Sequence, residues 1–268
     1  MAGGCLSGPI PLSGLQLGMA AALVLVNGAL SVWLGLGLER KLAVASVRTV
    51  VQLLLVGVVL APVFSWQRPG PVLAVILGMV VLAGREAARR SSRRYRGMLG
   101  ASVLAMLVGA GGTALLGVGV IVGAEPWWRP QYLIPLAGMM MGNTLTGVSL
   151  GLDRSLTMLD EGRGVIEGRL ALGATWWEAA RPVASEALRS GMVPILNAMS
   201  VVGLVTLPGM MTGQILSGTD PAIAARYQIL IMFLIAAATA LGTTTAVLLS
   251  VRALFDGQHR LRPERLEP

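Results

Sequence analysis

Seven apolar runs set the terms on which this chain can fold, because about 20 apolar residues make the length of helix that crosses the hydrocarbon core of a bilayer. They extend from Leu15 to Leu36, Val47 to Phe64, Pro71 to Ala83, Met98 to Val122, Gln131 to Leu152, Gly191 to Met211 and Tyr227 to Val251, the third being the shortest. Inside lipid every backbone amide and carbonyl has to be satisfied within the segment, so such runs must be helical. Composition agrees: the 268 residues are 54% hydrophobic and only 13% charged, against roughly 25% charged in soluble domains. The sequence predicts an all-α, polytopic integral membrane protein with seven transmembrane helices. Residues 1–268 form a single membrane domain, with a cytoplasmic loop at about 153–190 between the fifth and sixth spans.

The charges between the runs orient it. Arg68, Arg129 and Arg226 fall on one side, and the other 18 of the 21 Lys and Arg on the opposite side. Basic loops stay in the cytoplasm, so the N-terminus is expected outside and the C-terminus inside. Trp66, Trp127, Trp128, Tyr132 and Tyr227 then lie at the outer boundary, as an interfacial aromatic belt does. The net charge of +8 is a topological signal and not a nucleic-acid footprint. Its densest cluster, Arg85, Arg89, Arg90, Arg93, Arg94 and Arg96, serves orientation alone or, in addition, anionic lipid headgroups.

Several chemistries are missing. A phosphate-binding loop needs Gly-Lys-Ser/Thr, and the one lysine, Lys41, follows Arg40. The single histidine, His259, lies in the tail, and no Asp, Glu or Cys falls in the middle of a run. Cys5 follows Ala2-Gly3-Gly4 without a charged and apolar leader and is expected to be a free thiol. The chain is therefore expected to be no enzyme and to hold no cofactor.

The loop before the sixth run carries the sharpest local signal. Glu167-Gly168-Arg169-Leu170-Ala171-Leu172-Gly173 reads as a short helix closed by a glycine, since glycine enters the left-handed region at little cost. Thr175-Trp176-Trp177-Glu178 follows with the spacing of a capping box. A helix, a sharp elbow and a second helix leading into the membrane are expected. Trp176 and Trp177 are too apolar to stand in water, so they pack beneath the membrane domain or dock into a partner.

Within the runs, Met139, Asn143, Thr146 and Asp153 share one face of the fifth helix at offsets of 0, 4, 7 and 14. Such a stripe has to meet another helix or a water-filled path. Asn197 and Ser200 of the sixth span are placed to face it. Three small-residue spacings, Gly138/Gly142, Gly147/Gly151 and Gly209/Gly213, permit helices to touch backbone to backbone, within the chain or across a dimer. Arg48 and Gln52 stand one turn apart near the inner end of the second span, and Pro208-Gly209 supplies either a bend for gating or a helix end.

The glycine elbow six residues after Glu167 resembles the coupling helix of ABC-transporter permeases, with Gly168 and Arg169 in place of the signature's alanines and no downstream I-x-L-P. Over nearly the whole chain, Arg48 to Leu54, Met141-Gly142-Asn143-Thr144, Ala171 to Thr175, Leu207 to Gln214 and Arg226-Tyr227-Gln228 resemble the Fet iron-export permeases. The resemblance implies a multi-pass subunit of a bacterial plasma or inner membrane. Its partners would be a cytoplasmic ABC ATPase that holds ATP and magnesium, and a second copy of the chain. It implies metal export, with iron as the substrate, and plant relatives are linked to aluminium tolerance. Glu167, Gly173, Thr175, Trp176, Trp177 and Glu178 would then be the coupling residues. No metal ligands are assigned, since ferrous iron favours imidazole and carboxylate and the runs hold mainly methionines. A passive pore or secondary transporter, needing no elbow, and ABC export of a nucleotide sugar or other organic anion are the competing readings.

Overall fold

The computed structural model describes residues 13–66 and 68–267; Cys5 and Pro268 lie outside them. Among the described residues six helical segments are long and apolar enough to cross a membrane. They are α1 (Gly14–Trp33), α2 (Glu39–Trp66), α3 (Pro69–Arg90), the segment Met98–Ile121, α6 (Pro130–Glu161) and α10 (Pro221–Ala253). Within the fourth, α4 (Met98–Met106) and α5 (Gly112–Leu116) are joined and followed by π-helical turns at Leu107–Gly111 and Gly117–Ile121. The short third run becomes a full helix because its last turns accept the arginines that end the apolar stretch.

The sixth run is divided. After α7 (Arg163–Ala171), α8 (Trp176–Val201) starts in the elbow with a half made polar by Glu178, Arg181, Glu186 and Arg189, and it ends at Val201. Residues 202–208 form a turn in which Gly203 has φ +82° and its N–H donates to the Thr206 carbonyl at 2.9 Å. α9 (Gly209–Leu216) then begins directly after Pro208. A proline lacks the N–H that would carry α8 onward, and a left-handed glycine breaks it earlier.

Two compact units result. The first holds α1, α2 and Gly213–Asp220. Its hairpin turns on Gly35 and Gly37, at φ +63° and +64°. The Ser31 hydroxyl accepts from Leu38 N–H at 3.0 Å and donates to Glu39 at 3.2 Å. Its apolar side chains point outward, as lipid-facing ones do; Arg48 and Gln52 are exposed as well.

The second unit, residues 68–212 and 221–267, has its core between α3, the fourth segment, α6, α8 and α10. Contact is backbone to backbone at two levels. A Cβ on Gly191 would lie 2.7 Å from the Gly147 carbonyl oxygen and 2.6 Å from Thr243 Cγ2, so α6, α8 and α10 meet there. A Cβ on Gly109 would lie 2.7 Å from Gly242 Cα and from the Ala238 carbonyl, which explains a glycine in the π-helical turn against α10. Trp127, Trp128, Tyr132 and Tyr227 cluster at the ends of α6 and α10, away from the elbow. At the opposite end a two-residue antiparallel ladder pairs β1 (Arg94–Tyr95) with β2 (Leu266–Glu267).

Candidate coupling surface and transport path

The elbow is built by local rules. α7 closes with Gly173 at φ +93°; Gly173 N–H donates to Leu170 at 3.0 Å and Ala174 N–H to Arg169 at 3.1 Å, the paired bonds of a Schellman ending. One residue later the capping box forms. Thr175 N–H donates to Glu178 Oε2 at 2.8 Å, and Glu178 N–H donates to Thr175 Oγ1 at 3.3 Å. The Thr175 amide and hydroxyl together hold the Glu178 carboxyl below its ordinary range. Glu167 pairs with Arg163 one turn back at 3.4 Å, both half-exposed, so the pair adds little.

The two tryptophans part company. Trp176 leans on the chain's own C-terminal segment: its ring lies 6.1 Å from that of buried Phe255, with the Arg252 guanidinium 5.4 Å from the ring centre. Its backbone N–H donates to His259 Nδ1 at 3.3 Å. Trp177 stays 39% exposed, and Leu172, in the elbow itself, is 89% exposed.

That C-terminal segment escaped the sequence reading. Asp256 accepts from the N–H groups of Gln258 and Arg260, at 2.9 and 2.8 Å, and from Arg262 Nε at 3.0 Å. Those bonds, the Arg260 amide first, keep its carboxyl below the usual value. The resulting loop borders a groove of about 320 Å³ whose other wall is Glu167, Leu170 and Ala174. A neighbouring hollow of about 580 Å³ is lined by Ser92, Arg93, Asp160, Arg163, Pro263, Glu264 and Leu266. The Asp256-Gly257 turn signal was visible in the sequence, but nothing local announced its docking to residues some eighty positions earlier.

Asp153 belongs to this face. Its Oδ1 accepts from the Ser92 amide at 2.8 Å and the Ser92 hydroxyl at 2.7 Å, fixing the loop after α3. Arg93 next to it binds Asp160 at 2.8 Å and Thr157 at 3.0 Å.

The remaining stripe residues lie higher on α6. Asn143 is exposed and Thr146 half-exposed, and each returns a hydrogen bond to its own helix, to Met139 O at 2.9 Å and Gly142 O at 3.2 Å. α6 runs towards the elbow and α8 away from it. Counted outward from the Gly147–Gly191 crossing at 1.5 Å per residue, Asn143 stands about 6 Å and Asn197 about 9 Å along, so the two occupy similar depths. Asn197 and Ser200 are also exposed, Ser200 bonding back to Leu196 at 2.8 Å. No hydrogen bond joins the two sets among the described residues. Pro208 precedes and Gly209 begins α9, so the pair does not bend a continuous helix.

A second polar set was missed. Ser102, Thr144, Thr239 and Thr243 are buried where the fourth segment, α6 and α10 meet, and their hydroxyls find no partner among the described residues. Among the described residues no three His, Cys, Asp or Glu side chains converge as a metal site.

The model of the family described as "Uncharacterised protein family (UPF0014)" matches residues 14–255. The chain is 41% identical over 249 residues to "UPF0014 membrane protein slr1647" of Synechocystis, covering 92% of this chain and 93% of that protein. It is 32% identical over 246 residues to the "Probable iron export permease protein FetB" of Escherichia coli, covering 92% and 93%. It is 33% identical over 247 residues to "Protein ALUMINUM SENSITIVE 3" of Arabidopsis thaliana, covering 91% and 88%. No solved structure matches.

Proposed function

The chain belongs to the UPF0014 family of membrane proteins, and we propose that it is the membrane subunit of an ABC exporter that moves a metal ion, iron, using a separate cytoplasmic ATPase. The observation that carries the reading is the elbow. A helix ended by Gly173 and another started by Thr175 and Glu178 hold Trp177 and Leu172 outward on a surface stiffened by the C-terminal loop. Large apolar side chains fixed on an exposed rigid turn are suited to a partner's groove. Its name supports the choice of iron: the Escherichia coli relative is called an iron export permease.

The exposed Asn143, Asn197 and Ser200 and the half-exposed Thr146, with Met139 beside it on α6, support a homodimer. A polar strip facing lipid forfeits hydrogen bonds, and a second copy opposite encloses it as a path. The N-terminus lies outside and the C-terminus in the cytoplasm, α8 and α9 together counting as one crossing. Alternating access is served by the break between them at Pro208-Gly209.

The test is co-purification and hydrolysis. The isolated chain should show no ATPase activity and should retain a soluble ATPase subunit on affinity resin; hydrolysis by the chain alone, or no retention, defeats the proposal.

A further inference from the structure

One strongly charged hollow is used by none of this. Near the elbow end of α3, a Cβ on Gly84 would lie 2.6 Å from Val103 Cγ2 and 2.7 Å from Val103 Cα, so α3 and α4 touch there. Just beyond that contact a concavity of about 300 Å³ is lined by Arg85, Ala88, Arg89, Arg94, Tyr95, Gly97, Met98 and Leu99. We propose that this concavity binds the phosphate of an anionic phospholipid headgroup, through Arg85, Arg89, Arg94 and the start of α4. The proposal rests on the chain's place in a membrane and not on iron, an ATPase or a dimer.

The charge in the hollow is one-sided. Among the described residues three guanidiniums line it and no carboxylate does. Of the nearby acids with described side chains, Glu86 is committed to Arg90 at 3.5 Å and Asp160 and Glu161 to Arg93 at 2.8 and 3.6 Å, while Glu267 stands opposite Arg94 in the ladder. Among the described side chains, Arg85, Arg89 and Arg94 take part in no ion pair. A phosphodiester presents two anionic oxygens, which a guanidinium fork meets in pairs.

The backbone adds to this. α4 begins after Gly97, at φ +95°, with no side chain capping its first amides. Those donors and the positive end of the helix dipole favour an anion at Gly97, Met98 and Leu99. Tyr95, only 6% exposed, belongs to the same wall, and its hydroxyl has no partner among the described residues. Burial pushes its pKa up to about 12, so it stays protonated and able to donate.

The apolar rim points to a lipid as the source of the phosphate. Leu99 lines the hollow and is 52% exposed, and Leu82, at the end of the apolar part of α3, is 66% exposed. A headgroup seated on the arginines leaves its acyl chains against such side chains, whereas a free phosphate compound has no use for them.

The experiment measures binding of short-chain phosphatidylglycerol to the purified full chain in detergent by native mass spectrometry, with short-chain phosphatidylcholine, glycerol 3-phosphate and inorganic phosphate as competitors. The anionic lipid should bind about tenfold or more tightly than phosphatidylcholine, and the water-soluble phosphates should compete only at far higher concentration. Arg85→Gln/Arg89→Gln/Arg94→Gln should abolish the preference. Arg89→Lys, which keeps the charge and loses the fork, should weaken it partly, and Arg129→Gln, on the opposite side, should leave it intact. Both guard against misfolding of the triple variant. Equal binding of the two lipids, or a preference that survives in the triple variant, overturns the proposal. Effective competition by glycerol 3-phosphate or inorganic phosphate overturns the assignment to lipid and makes the hollow a site for a soluble phosphate.

Discussion

Replacing the two elbow tryptophans one at a time should separate a structural side chain from a docking one. Trp176 is half-buried against Phe255 and Arg252. Full burial makes Trp→Ala cost about 3–5 kcal/mol, so half of that, about 2 kcal/mol, is expected, and the lost cation–π contact adds about 0.5–1 kcal/mol. Trp177→Ala removes a ring that is 39% exposed and lies edge-on to Trp176, at 5.8 Å between centroids. By the same scaling its cost to folding should be about 2 kcal/mol, without the added cation–π loss, while its cost to ATPase binding should be about 2 kcal/mol, close to thirtyfold in Kd. Thermal unfolding of the detergent-solubilised chain and the affinity for the ATPase, by biolayer interferometry, report the two quantities separately. Trp176→Ala should lower the melting temperature more than Trp177→Ala, and Trp177→Ala should be the variant that weakens binding. The reverse pattern, or no change in affinity for either variant, refutes the assignment of the elbow.

Three further outcomes follow from the geometry. Gly191→Ala places a methyl 2.7 Å from the Gly147 carbonyl oxygen, whereas Gly142→Ala meets nothing within 4 Å. The first should lose about 1–3 kcal/mol and the second should be neutral in the same melting assay; equal melting points contradict the crossing. The Glu178 carboxyl sits below its ordinary 4.5, so the box's contribution is present above that pH and lost as pH falls through the lowered value. Glu178→Gln should remove this acid dependence of elbow protection in hydrogen exchange, and its persistence in the variant assigns the dependence to another group. In a Cys5→Ser background, cysteines at Asn143 and Thr146 should react with a water-soluble thiol reagent, faster or slower when the ATPase binds ATP, while Leu145 and Val148 controls stay slow; four equally inert cysteines make the stripe helix packing.

What the sequence made legible was local. Gly173 and the Thr175–Glu178 spacing state the elbow within a dozen residues, because left-handed glycine and capping chemistry act over one turn. The apolar runs likewise gave the membrane class and most helix positions. The division of the sixth run was harder, since apolar length says nothing of a turn at 202–208 made from Gly203 and hydrophobic neighbours. Three small-residue spacings looked alike in sequence, yet Gly147 and Gly151 meet α10 closely while Gly142, Gly209 and Gly213 face open space. Helical offsets put Met139, Asn143 and Thr146 on one face but do not say what covers it. Asp153, on the same offsets, is drawn off to hold Ser92. The docking of Phe255 and His259 onto Trp176 is long-range packing, which no periodicity encodes.

The most direct test of the central claim is transport in inside-out vesicles that contain this chain with its ATPase partner, assayed with ferrous iron, other divalent metals and nucleotide sugars. The account predicts iron accumulation that requires ATP, the ATPase and this chain together. Iron movement that proceeds without ATP or the ATPase identifies a passive pore or secondary transporter and contradicts the account, as does ATP-driven accumulation of a nucleotide sugar with no movement of metal.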